Sequence, residues 1–116
     1  MVFDPAQVEE LKRCYPNLSS VSEGGTDFVR IPSLPLPKGC NPAVIDALLC
    51  PSVRDGYASR LFLSAKVSHS GPGQNWNASG VQIAGSKWWA VSWNTNQPNL
   101  RLLGMVINHL QAFQCK

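Results

Sequence analysis

Pro32, Pro35 and Pro37 remove the stretch Pro32–Gly39 from any helix, and Pro42 and Pro51 bracket the run that follows. Proline fixes φ and lacks an amide hydrogen, so it breaks a helix interior and is tolerated in sheets only at edges, strand starts and bulges. The stretch Pro32–Gly39 is therefore predicted to be an extended connector. The apolar run Ala43–Cys50 has the composition of either a helix turn or a strand, and its length and flanking prolines favour a strand. Helices are expected at the two ends. Asp4 is a natural N-cap, Pro5 suits the first helical position, and Val8, Leu11 and Cys14 or Tyr15 recur at helical spacing until Pro16. After Pro98, Asn99 is the expected cap of a second helix with Leu100, Leu103, Val106, Ile107, Leu110 and Phe113 along a broad apolar face.

Between these ends the pattern is that of strands. Leu18–Val21 and Thr26–Ile31 flank Ser22-Glu23-Gly24-Gly25, the composition of a hairpin turn. Arg60–Val67 alternates, with Leu61, Leu63, Ala65 and Val67 on one face. Val81–Ile83 and Trp88–Trp93 are short strands separated by Ala84-Gly85-Ser86. Ser68–Ser79 is polar and rich in glycine and proline, and is expected to be a loop of the length that often carries function. The order predicts an α+β fold in which helices cover an antiparallel meander, in a single domain spanning residues 1–116.

Composition narrows the function. Charged residues are 15% of the chain, low against a usual value of about 25%. The net charge of +3 comes from basic residues without a cluster, so a nucleic-acid partner is not expected. No apolar run approaches the roughly 18 residues of a spanning helix, and the N-terminal residues do not read as a signal peptide. A cytoplasmic location is the resulting expectation, in which Cys14, Cys40, Cys50 and Cys115 are buried or free rather than paired. They form no C-x-x-C and lie far in sequence from His69 and His109, so no metal site and no cofactor are expected. Gly71-Pro72-Gly73 lacks the context of a phosphate loop, and Asn77-Ala78-Ser79 matches a glycosylation sequon in a chain without other signs of secretion.

The tryptophans are more informative. Trp76, Trp88, Trp89 and Trp93 fall within eighteen residues. They serve either as packing at the seam between sheet and terminal helix or as a platform for a protein partner, since Trp is enriched at interface hot spots.

Several strings occur in an order that resembles a known family. They are Glu23-Gly24-Gly25, then Leu34-Pro35-Leu36-Pro37-Lys38-Gly39 followed by Asn41-Pro42. Next come the strand Val44–Leu49 ending at Pro51, the pair Gly56-Tyr57, and the block from Gly85-Ser86-Lys87-Trp88 to Ser92-Trp93. In that order they are similar to the UBC superfamily of ubiquitin-conjugating enzymes, in its bacterial branch known as prokaryotic family E. The resemblance implies a UBC-like fold, a four-stranded antiparallel meander with N-terminal and C-terminal helices. It also implies three partners: a ubiquitin-like protein, its activating enzyme and a metal-dependent deconjugating peptidase.

The same resemblance locates a departure. In the superfamily a Tyr-Pro turn precedes a His-Pro-Asn loop, and the cysteine that carries the thioester follows that His by ten residues. Here Tyr57 is followed by Ala58, His69 is followed by Ser70-Gly71, and the tenth residue beyond His69 is Ser79. A serine hydroxyl needs an adjacent base to attack an acyl group, whereas a thiol is partly ionised at neutral pH. Two readings stay open. Either Ser79 carries an oxyester, with His69 as base and Asn75 or Asn77 as oxyanion donor, or the chain is a non-catalytic adaptor for the activating enzyme, built around its tryptophans.

Overall fold

The computed structural model describes residues 4–52, 56, 57, 59–69, 76–91, 93 and 100–113, with the backbone alone for His69 and Asn77. Helix α1 (Pro5–Cys14) begins as expected, with the Asp4 carboxylate accepting the Ala6 amide at 2.9 Å and Pro5 in the first turn. Strands β1 (Ser19–Glu23) and β2 (Thr26–Pro35) form a hairpin whose two turn residues, Gly24 and Gly25, have φ of 59° and 79°. Two consecutive positive φ angles match the right-handed twist of the strands and are nearly free of strain only for glycine. The chain continues through β3 (Cys40–Asn41), β4 (Val44–Cys50), β5 (Arg60–Leu63), β6 (Ser68–His69), β7 (Trp76–Ile83) and β8 (Ser86–Val91). Helix α2 (Leu102–Leu110) then runs into a 3-10 turn at Gln111–Phe113.

The fold is α+β, but its main sheet has six strands rather than the four expected. Their order is β1-β2-β4-β5-β8-β7, antiparallel throughout, while β3 and β6 pair separately. The first four lie in sequence order as a meander, with β3 set aside between β2 and β4. The additional pair is the β7–β8 hairpin, joined to β5 where Leu63 faces Trp89.

Alternation along the central strands sends side chains to two different cores. Val29, Ile31, Ala47, Leu49, Leu61, Leu63 and Val91 meet Leu11 of α1 and Leu102 and Val106 of α2. Phe28, Leu48, Cys50, Phe62, Ile83, Trp88 and Ala90 form a second cluster made entirely of strand residues. The sheet curls to enclose that cluster. Its curl brings the β7–β8 turn to the β1–β2 turn, where the Ala84 amide donates to Glu23 Oε2 at 2.8 Å.

Four local expectations are corrected. Pro32–Gly39 was expected to be a connector, yet β2 extends to Pro35 and pairs Leu34 with Ile45 and Pro35 with Val44. The register shifts between Ile31 and Leu34, Ser33 takes φ of 56°, and its amide donates to Asp46 Oδ1 at 2.9 Å. A bulge thus absorbs Pro32, which has no hydrogen for the ladder. Strand β5 ends at Leu63 with all four residues buried, and Ala65 is exposed instead of sharing the face of Leu61. The expected loop Ser68–Ser79 contains β6 and the first half of β7. Finally, α2 starts at Leu102; its N-cap Arg101 makes no side-chain cap, and Gln7 Oε1 of α1 accepts the Leu102 amide at 3.0 Å. Asn99, the expected cap, lies outside the described residues.

Phe62 is fully buried inside the curl, so Phe62→Ala removes most of a ring from a site with nothing to replace it. A loss of about 3–5 kcal/mol in urea-unfolding free energy is expected. Val44→Ala, at a position 49% exposed, is expected to change it by less than about 1 kcal/mol.

Candidate functional site

Ser79 lies on β7, an edge strand of the main sheet, and is exposed. Its setting is irregular. Ala78 faces Ala90 and Val81 faces Trp88, so three steps on β7 oppose two on β8, and Gly80 takes φ of 65° within the extra residue's span. A second shift falls at Asn77, between the pairs Trp76–Val91 and Ala78–Ala90. Bulges of this kind bend a strand and re-aim its side chains, and they are frequent beside active sites and at sheet edges. The exposed Ser79 hydroxyl is therefore set on a distorted edge rather than in a free loop.

His69 is in β6, where its register partner is Cys40 of β3, and Ser68 Oγ donates to the Asn41 carbonyl at 3.1 Å. Asn77 is on β7. Asn75, proposed with it as an oxyanion donor, lies outside the described residues, as does Cys115.

The four tryptophans are not equivalent. Trp88 is 4% exposed in the all-strand cluster, and its indole donates to the Ile83 carbonyl at 3.1 Å across the β7–β8 turn. Trp76 is half-buried and packs on Phe113, ring centroids 6.0 Å apart at 48°. Trp93 donates to Asn108 Oδ1 of α2 at 3.0 Å, and Trp89 is half-buried opposite Leu63. Trp76 and Trp93 thus fasten the last helical segment to the sheet.

Among the described side chains, one hydroxyl and one imidazole that the sequence did not single out as a pair are brought together. Ser59 Oγ and His109 Nε2 are 2.9 Å apart, with Ser59 1% and His109 4% exposed. Arg60, next to Ser59, is itself 2% exposed; it donates to the Val91 carbonyl at 3.2 Å and lies over the rings of Tyr57 and Phe62 at 4.5 and 5.6 Å. Burial first, and the Arg60 guanidinium second, lower the pKa of His109 to about 4. The imidazole is accordingly neutral at pH 7 and resists protonation, and the pair is closed to any macromolecular acyl group. Its chemistry is that of a buried polar link between the start of β5 and the end of α2. Ser59 and His109 are fifty residues apart, so no local spacing announces them.

Among the described residues no group of three or more His, Cys, Asp and Glu is arranged to hold a metal, and no helix is long and apolar enough to cross a membrane. No protein-family model, curated protein or solved structure matches the chain.

The depressed His109 makes stability depend on pH. Above about pH 6.5 the imidazole is neutral in both folded and unfolded chains and its contribution is complete. As the pH falls from 6.5 toward 4 the unfolded chain takes up a proton that the folded chain refuses, so stability declines. The drop from 6.5 to about 4 corresponds to roughly 3 kcal/mol. Urea unfolding at intervals between pH 7 and 5 is expected to show this decline. In His109→Gln the slope over that interval should flatten, and an unchanged slope would assign the decline to other groups.

Proposed function

We propose that this chain is a UBC-like component of a bacterial ubiquitin-like conjugation system, which receives or positions a ubiquitin-like protein delivered by an activating enzyme. The observation that carries the reading is topological. Helix α1 is followed by β1, β2, β4 and β5 lying in sequence order as an antiparallel meander, with α1 and α2 packed on one face. A four-stranded meander flanked by helices is what the resemblance carried by these strings implies, and three of the strings lie on it. Glu23-Gly24-Gly25 is the first hairpin turn, Leu34-Pro35 closes β2, and Val44–Leu49 is the third strand of the meander. The β7–β8 hairpin is an addition to that plan.

In the catalytic form of this reading, Ser79 accepts the acyl group. Its oxygen attacks the thioester carbonyl on the activating enzyme, the carbon–sulfur bond breaks, and the serine proton passes to a base and on to the leaving thiolate. His69 is the base proposed for this step and Asn77 the oxyanion donor. Exposure of Ser79 on a bulged edge strand supports its access to a large donor. The metal-dependent deconjugating peptidase would reverse the modification.

The adaptor reading has its own support. No cysteine occurs between Cys50 and Cys115, so the region after β5 that would hold the thioester has none. Among the described side chains, the Ser59–His109 hydroxyl–imidazole pair is sealed. In this form the chain docks the activating enzyme without accepting the acyl group, with Trp76, Trp88, Trp89 and Trp93 supplying the rigidity of the docking surface.

Purified protein incubated with the activating enzyme, the ubiquitin-like protein and ATP separates these forms. An adduct that survives thiol reductant, is cleaved by hydroxide and is absent in Ser79→Ala is the expected result for the oxyester. Stable binding of the activating enzyme without an adduct identifies the adaptor. Neither adduct nor binding would overturn the assignment as a whole.

A further inference from the structure

The C-terminal turn rests on a thiol. Cys40 of β3 donates from Sγ to the Phe113 carbonyl at 3.7 Å, a contact between residues 73 positions apart. Both partners are held by further contacts. Cys40 is paired with His69 across the β3–β6 ladder, and its amide donates to the Pro37 carbonyl at 3.3 Å. Phe113 is 2% exposed, and its ring centroid lies 6.0 Å from that of Trp76. The fold itself therefore brings this thiol to this point of the main chain.

A second thiol is tethered to the same point. Cys115 follows Phe113 by two residues and lies outside the described ones. Two residues of chain span at most about 7 Å however they run. The Cα atoms joined by a disulfide stand roughly 4.4–6.8 Å apart. Since the Cys40 sulfur already touches the backbone that leads to Cys115, the tether is short enough for the two sulfurs to meet without moving α2. The other cysteines are placed differently. Cys40 packs against the helix-covered cluster, whereas Cys50 is fully buried in the all-strand cluster and Cys14 is exposed at the end of α1.

From this geometry we propose that Cys40 and Cys115 form a reversible disulfide that locks the C-terminal turn onto β3. The oxidant is a low-molecular-weight disulfide. One cysteine thiolate attacks it and displaces a first small thiolate; the other, after losing its proton to solvent, attacks the resulting mixed disulfide and displaces the second. Two protein thiols are oxidised, one external disulfide is reduced to two thiols, and the two protons end on those products. Trp76 begins β7 and packs on Phe113, so the lock also braces the end of the edge strand that carries Ser79. The modification stands apart from the proposed acyl-transfer role and does not depend on it.

The test uses the intact chain, reduced, stripped of reductant, incubated with oxidised glutathione and then blocked with N-ethylmaleimide in denaturant. The expected product is a monomer that has lost two hydrogens, about 2 Da, besides any glutathione carried on the exposed Cys14. Its unreduced tryptic peptides 39–54 and 102–116 are expected to be linked, with fragmentation assigning the bond to Cys40 rather than Cys50. The link should be lost in Cys40→Ser and, independently, in Cys115→Ser. Amide hydrogen exchange over 105–113 is expected to slow in the linked chain and to recover with dithiothreitol. Unchanged thiols at Cys40 and Cys115, glutathione on either without a link, a bond from Cys115 to Cys14 or Cys50, or a disulfide-joined dimer would overturn the pair. Unchanged exchange in the linked chain would overturn the lock.

Discussion

Strand β5 has no face turned to water. Leu61 and Leu63 pack under the helices, Phe62 points into the strand-lined cluster, and Arg60 is 2% exposed at its start. A strand buried on both sides needs a covering layer on each, and 116 residues with two short helices supply only one such layer. The second layer is the sheet itself. The β7–β8 hairpin continues beyond β5 and curls over Phe28, Leu48 and Phe62, bringing Trp88 and Ile83 onto them. Aromatic side chains suit this enclosure because three of them fill a curved interior that smaller residues would leave hollow. The Glu23–Ala84 hydrogen bond then ties the two ends of the curl at their turns.

Arg60 is the exception on which the packing turns. A guanidinium removed from water is tolerated only when its donors and its charge are met by the surroundings. Here the Val91 carbonyl takes one donor and the faces of Tyr57 and Phe62 lie against the cation. Because Val91 ends β8, the same contact joins β5 to β8, which the ladder links at Leu63–Trp89. The cation also acts on its neighbour. Burial first, and the Arg60 charge second, keep His109 neutral, and it serves Ser59 as a hydrogen-bond partner. The end of α2 is thereby fixed to the sheet through a neutral imidazole.

Local chemistry made part of this legible in the sequence. Asp4-Pro5 and Gly24-Gly25 act within a few residues of themselves, and α1 and the first hairpin lie where those residues place them. The run Ala43–Cys50 became β4 for the same reason: prolines bracket it and its length suits a strand. What failed required information from elsewhere in the fold. Pro32 ends a regular strand, yet Asp46, thirteen residues beyond Ser33, accepts the Ser33 amide and lets β2 resume. The polar residues around Ser79 resemble a loop, and only pairing with β8 makes them a strand. Asn99 seemed a cap, whereas the first amide of α2 is satisfied by Gln7, ninety-five positions away. The Ser59–His109 contact has no sequence signal for the same reason, because it exists only once α2 has docked.

That β7 is a strand alters the chemistry assigned to Ser79. A loop serine owes its position to flexible neighbours, whereas this one is held between ladder pairs at Ala78–Ala90 and Val81–Trp88. Trp88 and Ala78 below it are buried, so the backbone on either side is anchored in the inner cluster. The register shifts at Asn77 and at Ser79-Gly80 forgo regular pairing on an eight-residue edge strand, and they prevent that edge from being a straight template for another strand. The Ser79 residue is thus exposed on a distorted edge whose flanking backbone is held by the ladder. It is also a poor general nucleophile without a base delivered to it.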